Sequence, residues 1–245
     1  MTLVVRGNLM KRSEINEIME KAEKFLDEMN FKLPIWAFWE PKDWSGSYQI
    51  TNEIVDNQMG WDITDFGSGN FREIGLFLFT IRNGNLKLNR KCYAEKIMIV
   101  DIGQITPTHF HWYKMEDIIN RGGGELVLEL FSADEEEKII DKPVCVKIDG
   151  IPATVPAGGK VVLLPGESIC LLPYVYHKFY AEKGKCLVGE VSMVNDDATD
   201  NRFLEPVGRF PTIEEDSIPR HLLVSDYWRY LNMLSPSSRI TTETE

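Results

Sequence analysis

The chain has 245 residues, of which 43% are hydrophobic and 27% charged, and its formal net charge is −11 at pH 7. This composition is typical of a folded globular protein and excludes a chain that is disordered throughout. The acidic balance, with no basic run longer than Lys11-Arg12 or Arg90-Lys91, disfavours binding to nucleic acid or anionic lipid. The apolar runs, such as residues 97–100, fall far short of the ~20 residues that cross a bilayer.

The four cysteines, Cys92, Cys145, Cys170 and Cys186, include no pair with the C-x-x-C spacing of a cysteine zinc site. A chain of this length buries enough surface to fold without disulfides. We therefore expect four reduced thiols and a cytoplasmic protein.

The N-terminal region predicts an extension over residues 1–9, followed by an amphipathic helix. Ser13 is a candidate N-cap. Apolar residues then recur at i, i+3, i+4 and i+7 spacing, which predicts a helix of about five turns that ends before Pro34. The apolar positions are Ile15, Ile18, Met19, Ala22, Leu26 and Met29.

An aromatic-rich segment completes a predicted arm over residues 10–72. It contains Trp36, Trp39, Trp44, Trp61 and Phe66, and its residues 60–62 and 65–69 have the composition of turns. These rings are expected either to pack over a core edge or a partner subunit, or to wall a pocket.

From residue 74 the pattern changes to short apolar strands separated by glycine-containing turns. Strands are predicted over residues 75–81, 94–100, 125–130, 144–148, 160–164, 168–172 and 186–191, with turns at 121–124 and 183–184 among others. No helix alternates with these strands, so a sandwich or small barrel is favoured over a doubly wound sheet. We assign the barrel and a C-terminal segment, which includes a short helix within 224–234, to residues 73–234, and predict a disordered tail over 235–245.

Three of the four histidines stand in a pattern that indicates a metal site. His109 and His111 are two residues apart, so on a strand they share one face, ~6.5–7 Å apart along the chain. Glu116 follows a turn later, and His177 follows a predicted strand. Imidazoles with a carboxylate suit Mn, Fe, Co, Ni or Zn without selecting one. His221 lies outside this pattern and is expected at the surface.

The residues around this site resemble the first cupin motif, with its glycine, H-x-H pair, glutamate and second glycine. Here these are Gly103, His109, His111, Glu116 and Gly122. The segment from 165 to 177 resembles the second cupin motif but departs from it, since no glycine lies between Pro173 and His177. The resemblance implies a mainly β, cupin-type double-stranded β-helix, a jelly-roll barrel, with an N-terminal helix and peripheral helical segments.

A closer resemblance is to bacterial D-lyxose isomerases. It rests on residues 60–69, 93–98, 109–124, 165–170 and 189–192, and covers about residues 10–230. It implies a metal-dependent isomerase that interconverts D-lyxose and D-xylulose, with D-mannose and D-fructose as further substrates. It also implies one divalent ion per chain held by His109, His111, Glu116 and His177, often Mn²⁺, with Zn²⁺, Co²⁺ and Fe²⁺ left open.

Isomerisation of a neutral polyol needs a Lewis acid and a proton carrier. We assign proton transfer through a metal-stabilised cis-enediol to Glu190, which lies in an apolar strand where burial is expected to raise its pKa. With the resemblance, Lys114 becomes a catalytic candidate, Lys96 a candidate substrate ligand, and Arg209 a weaker one.

Two other functions remain open: a cupin dioxygenase, favoured by an apolar pocket, and a non-catalytic metal-binding cupin that binds sugar, favoured by closed coordination. We expect a monosaccharide substrate and a homodimer, because two-fold dimers are the commonest assembly.

Overall fold

The computed structural model describes residues 9–88, 90–194, 196, 199–208 and 211–231. Almost all of the predicted extension, the predicted tail and Arg209 lie outside these residues. Among the described residues, no helix is both long and apolar enough to cross a membrane.

Strands dominate the structure, and nearly all of them belong to one sheet. The strands are β1 (Met10–Lys11), β2 (Gly60–Thr64), β3 (Leu76–Arg82), β4 (Tyr93–Val100), β5 (His109–Phe110), β6 (Glu116–Ala133), β7 (Ile139–Ile140), β8 (Val144–Ile148), β9 (Ile151–Val155), β10 (Gly159–Leu163), β11 (Ser168–Leu171), β12 (Val175–Met193), β13 (Arg202–Phe203) and β14 (Ile213–Glu214). The main path of the large sheet has the order β2-β3-β4-β12-β6-β11-β8-β9, and these neighbouring strands pair antiparallel. The short β1 and β14 pair in parallel outside this sheet.

The helices lie at the two ends of the described chain. They are α1 (Arg12–Glu28), α2 (Tyr48–Asp56) and α3 (Tyr227–Tyr230), with 3-10 turns at Ile35–Phe38, Pro41–Trp44 and Val224–Asp226. The prediction of a mainly β chain with an N-terminal helix and peripheral helical segments is confirmed.

The first helix is amphipathic as predicted and buries one apolar face, with Ile15 and Met19 fully enclosed. That face packs against the outer side of β2, β3 and β4. The predicted cap is wrong: Lys11 occupies the N-cap position without a side-chain bond. Ser13 lies inside the helix, and its backbone N–H and hydroxyl both donate to Asp216.

The central strands are buried on both faces. In β4, Ile97 and Ile99 join the cluster beneath α1, whereas Met98 and Val100 join the cluster inside the barrel. Successive side chains of a strand point to opposite faces. Lys96 therefore shares the interior face with Met98, and this alternation brings a charged residue to the centre of the barrel.

Two predicted turns are instead bends within long strands. Residues 121–124 lie inside β6, and residues 183–184 lie inside β12. Gly123 has φ +95°, and a Cβ there would approach the carbonyl oxygen of Lys185 to 2.1 Å. The β6–β12 pairing shifts register beside it. Glycine thus lets the strand bend and continue, as a bulge does.

The predicted turn at residues 60–62 is also wrong, because these residues belong to β2. This strand pairs with β3, so the sheet continues across residue 72, where the sequence places the end of the arm. The predicted turn at 65–69 is present, since the Asp65 carboxylate accepts the backbone N–H groups of Gly67 and Gly69. The division into arm and barrel stays a prediction.

The aromatic segment packs mainly over a core edge, one of the two expected arrangements. Trp44 contacts Tyr227 with ring centroids 4.8 Å apart. Trp61 donates to the carbonyl oxygen of Ala37 and stacks on His221. The prediction that His221 lies at the surface is wrong, since it is only 6% exposed.

A candidate metal and substrate site inside the barrel

Three histidines converge at the mouth of the barrel through strand pairing. His109 on β5 lies opposite His177 on β12. Phe110 points the other way and packs against Tyr174 and Tyr176, which returns His111 to the side of His109. One nitrogen from each imidazole lies within 4.8 Å of the other two.

Backbone carbonyls orient all three imidazoles in the same sense. Nδ1 faces the carbonyl oxygen of Pro107 at 2.8 Å in His109, that of Asp200 at 2.7 Å in His111, and that of Val175 at 3.0 Å in His177. A carbonyl only accepts hydrogen bonds, so each Nδ1 carries a proton, and Nε2 is the nitrogen of each ring that is left to bind a metal. This is the orientation found in metal-binding histidines.

Glu116 adds a carboxylate oxygen to these lone pairs. Its Oε1 lies 3.4 Å from Nε2 of His111 and 3.2 Å from Nε2 of His177. That oxygen is buried and has no hydrogen-bond partner among the described residues. A carboxylate oxygen and nitrogen lone pairs this close together repel one another unless a proton or a cation lies between them. The donor set therefore fits a divalent ion, with nitrogen and oxygen ligands of the kind that several transition metals accept.

Burial and neighbouring charges keep this donor set in its metal-binding form. Burial, together with the nearby rings of His177 and His111, holds the pKa of His109 well below its usual value of 6.5. Burial raises the pKa of Glu116, but Lys114 and His111 outweigh it and hold that pKa well below the ordinary value. Both groups thus lack a proton near neutral pH.

A network of buried charges continues from Glu116 across the interior. Lys114 Nζ lies 2.8 Å from Glu116 Oε2 and 2.8 Å from Glu190 Oε1. Lys96 Nζ lies 3.5 Å from the same Glu190 oxygen, and the Ser192 hydroxyl donates to it at 3.0 Å. Two ammonium groups thus balance two carboxylates, as buried charges require.

The structure places Glu190 inside the barrel, on the face it shares with Val188. The expectation of a raised pKa is wrong. Burial raises the pKa of Glu190, but the charges of Lys114 and Lys96 outweigh burial and bring it below the ordinary glutamate value. The carboxylate is therefore ionised, and can accept a proton.

These charged groups and several apolar side chains together line a small chamber of about 50 Å³. Phe203 also lines the chamber, with its ring centroid 5.5 Å from that of His109 and 5.8 Å from that of Phe66. Phe66 is thus the aromatic that walls a pocket, the second expected arrangement. The remaining wall residues are Leu76, Leu78, Met98, Thr106, Ile118, Phe179 and Asn201.

Sequence reasoning missed Thr106, Asn201, Phe203 and Asp200, since none stands in a recognisable spacing. Arg209 lies outside the described residues, and its predicted role stays a prediction. A larger groove of about 590 Å³ runs between α1 and the sheet, but none of the site histidines, lysines or glutamates described above lines it.

Comparisons with known proteins agree with this geometry. The sequence profile of the D-lyxose isomerase family matches residues 10–227. The D-lyxose/D-mannose isomerase of Serratia proteamaculans is 47% identical over 227 residues, which is 91% of this chain and 100% of the relative. That of Escherichia coli O157:H7 is 47% identical over 226 residues, covering 90% of this chain and 100% of the relative.

Solved structures show the same fold at much lower identity. The L-ribose isomerase of Cellulomonas parahominis with L-ribose superposes with a TM-score of 0.56 at 17% identity, over 85% of this chain and 100% of that one. The L-ribose isomerase of Acinetobacter sp. DL28 in complex with L-ribose gives a TM-score of 0.56 at 14% identity, over 84% and 99%.

Proposed function

The chain belongs to the D-lyxose isomerase family, and on that premise we propose that it interconverts D-lyxose and D-xylulose, with D-mannose and D-fructose as further substrates. It is an aldose–ketose isomerase, as predicted. The reaction moves a hydrogen between C1 and C2 of the open-chain sugar. One observation carries the proposal: an ionised glutamate held by two lysines faces the same chamber as the three-histidine cluster.

We assign His109, His111, His177 and Glu116 as ligands of one divalent ion, which we propose to be Mn²⁺, with Zn²⁺, Co²⁺ and Fe²⁺ as alternatives. When bound, such an ion would supply Lewis acidity toward the oxygens of the sugar. The support is the set of lone pairs described above, together with the unpaired Glu116 oxygen.

Glu190 is the proposed base. Its carboxylate takes the proton from C2 of the aldose and returns it to C1 by way of a cis-enediol, while the hydroxyl proton of O2 passes to O1. Glu190 lines the chamber, where the Lys114 ammonium and the Ser192 hydroxyl both donate to it and hold it in place.

Lys114 and Lys96 are the proposed electrostatic partners of this step. Their ammonium groups lie beside Glu190, where they stabilise the negative charge that develops on the sugar oxygens. Lys114 contacts both the proposed base and a proposed metal ligand, because it also pairs with Oε2 of Glu116, the oxygen that does not face the histidines. Lys96, whose ammonium is the more distant from Glu190, is assigned to substrate binding, as is Arg209.

The charged wall also separates this function from its alternatives. A dioxygenase acting on an aromatic substrate is favoured by a largely apolar chamber, and Lys96, Lys114 and Glu190 are unsuited to it. A non-catalytic sugar-binding cupin has no use for a buried carboxylate between two lysines, an arrangement that is costly to desolvate.

The test is an assay of D-lyxose conversion on metal-stripped protein, before and after addition of each candidate ion. We expect no conversion without metal and recovery with at least one ion, best with Mn²⁺. Oxygen consumption in place of isomerisation supports the dioxygenase. Sugar binding without conversion under any ion supports the non-catalytic protein, and either result refutes our proposal.

A homodimer and a cytoplasmic location are further proposals. The first is consistent with exposed apolar side chains such as Tyr113 and Ile102. Light scattering of the purified protein tests the dimer, and fractionation of cells that express it tests the location.

A further inference from the structure

Asp200 connects the loop that carries His111 and Lys114 to a segment, residues 201–203, that helps to line the chamber. Its carboxylate accepts three consecutive backbone N–H groups: Oδ1 accepts those of Trp112 at 2.8 Å and Tyr113 at 3.0 Å, and Oδ2 accepts that of Lys114 at 2.9 Å. Its own carbonyl oxygen faces Nδ1 of His111. One residue thus contacts four consecutive residues from 86 to 89 positions away.

We propose that Asp200 is a positioning residue for the site, which sets the His111 ring and the Lys114 ammonium in place without contacting the sugar. This inference rests on the proposed function, since it assigns Asp200 a part in metal binding and isomerisation. Asp200 is not among the residues that line the chamber, although its neighbour Asn201 is.

The backbone geometry explains why the position needs a carboxylate. Residues 112–114 leave three N–H groups directed at one point, and an ionised oxygen pair accepts them better than any neutral group. Asp200 is 7% exposed, so water replaces it poorly. Loss of the carboxylate leaves these donors unsatisfied and releases the loop.

Release of this loop displaces both the Lys114 ammonium and the His111 ring. Lys114 Nζ bridges Glu116 and Glu190 at 2.8 Å each, and a shift of its backbone moves the ammonium away from one of them. His111 lies one residue before the anchored N–H groups, so its ring loses a fixed base. Metal affinity and the environment of Glu190 therefore depend on the same anchor.

Asp200 also connects the loop to residues 201–203, which help to line the chamber. Immediately after Asp200, β13 pairs with β5, which places Phe203 opposite His109. The N–H of Leu204 then donates to the carbonyl oxygen of Thr108 at 2.9 Å. Residues 200–204 thus hold both sides of the H-x-H pair, one through the carbonyl of Asp200 and one through strand pairing.

The test compares Asp200→Asn and Asp200→Ala with Asp226→Asn. Asn keeps one acceptor oxygen but presents an NH₂ donor to at least one backbone N–H, and Ala removes all acceptors. Asp226 is a matched control because it is 6% exposed, accepts the N–H of Leu223 and pairs with Arg12, away from the chamber.

Two readouts need no substrate. Amide exchange of the metal-free protein is expected to be roughly fivefold or more faster at residues 112–114 in both Asp200 variants, because their hydrogen bonds are lost. Calorimetric titration with Mn²⁺ or Co²⁺ is expected to show a ~10–100-fold weaker affinity, the usual effect of losing a group that orients a metal ligand. The Asp226 variant is expected to lose thermal stability without either change.

Kinetics at saturating metal give the third readout: kcat falls in the Asp200 variants and KM changes little, since the sugar contacts remain. The inference is overturned if Asp200→Asn keeps the amide-exchange rates and the metal affinity of the wild-type protein. It is also overturned if Asp226→Asn changes both quantities as much as Asp200→Asn does. If Asp200→Ala fails to fold, Asp200→Asn decides. A wild-type protein that binds metal but lacks isomerase activity refutes the proposed function alone, because the exchange and binding results still judge Asp200.

Discussion

Replacement of Glu190 by Gln is the most direct perturbation of the proposed chemistry. Glu190 Oε1 accepts from Lys114 at 2.8 Å and from the Ser192 hydroxyl at 3.0 Å. The amide oxygen of Gln can accept both bonds, so the shape of the chamber and the metal ligands stay in place. What Gln cannot do is take a proton from carbon, and general acid–base catalysis contributes ~10²–10⁴-fold.

We therefore expect Glu190→Gln to lower kcat ~10²–10⁴-fold, which corresponds to about 3–5 kcal/mol of barrier. KM and metal content are expected to change much less. Since Lys114 and Lys96 bring the pKa of Glu190 below the ordinary value, the wild-type base stays ionised down to at least ~4.3, where an ordinary glutamate gains its proton. Activity is therefore expected to fall through protonation of this base only below that pH.

The assay measures D-xylulose formed from D-lyxose, with metal content determined on the same samples. Glu182→Gln is the matched control, because Glu182 lies exposed on the same strand. Isomerisation in D₂O provides a second measurement: transfer by a carboxylate places some solvent deuterium in the product. Near-normal turnover in Glu190→Gln, together with a product free of deuterium, refutes the assignment and indicates a hydride shift.

The remaining predictions concern the metal ligands and two structural contacts. His109→Ala is expected to lower metal occupancy and abolish isomerisation while circular dichroism stays native, and full activity with full metal occupancy in this variant contradicts the ligand assignment. Because burial holds the pKa of His109 well below its ordinary value, protonation of this ring is expected to displace the metal from the wild-type protein only at a pH well below ~6.5. Arg12→Ala leaves Asp226 as an uncompensated buried charge, and we expect a loss of about 3–5 kcal/mol in urea unfolding with unchanged metal affinity. Gly123→Ala places a Cβ against the carbonyl of Lys185 at a positive φ, and a loss of roughly 1–3 kcal/mol is expected; wild-type stability contradicts the proposed bend.

The sequence alone was sufficient for features that depend on neighbouring residues. The period of apolar residues predicted α1, because one side of a helix must face a core. The spacing of His109 and His111 predicted their shared side, because a strand alternates its faces. Glu116, after a predicted turn, and His177, after a predicted strand, joined the candidate site from their places in the sequence, and the resemblance to D-lyxose isomerases supported the full set of four ligands.

Local patterns failed where a residue type has two uses. Glycines at 122–124 predicted a turn, but the same conformational freedom lets β6 bend and continue beside β12. His221 was expected at the surface because it lies outside the metal-site pattern. It instead stacks on Trp61, and its Nε2 lies 3.0 Å from the Glu23 carboxylate. Each outcome depends on a partner far along the chain.

Only the tertiary structure decided which way the charged site residues point. Glu190 and Lys96 lie in strands that are apolar on both faces, so hydrophobic alternation cannot distinguish the interior from the side beneath α1. Strand pairing makes the distinction, because it places Glu190 opposite Lys96 and Ile118. Ile118 and Val188, which lies two residues before Glu190, both belong to the cluster inside the barrel. The role of Asp200 could not be predicted from the sequence either, because its partners lie 86 or more positions away. A carboxylate that accepts N–H groups so distant along the chain leaves no periodic pattern in the sequence, since only the fold brings the two segments together.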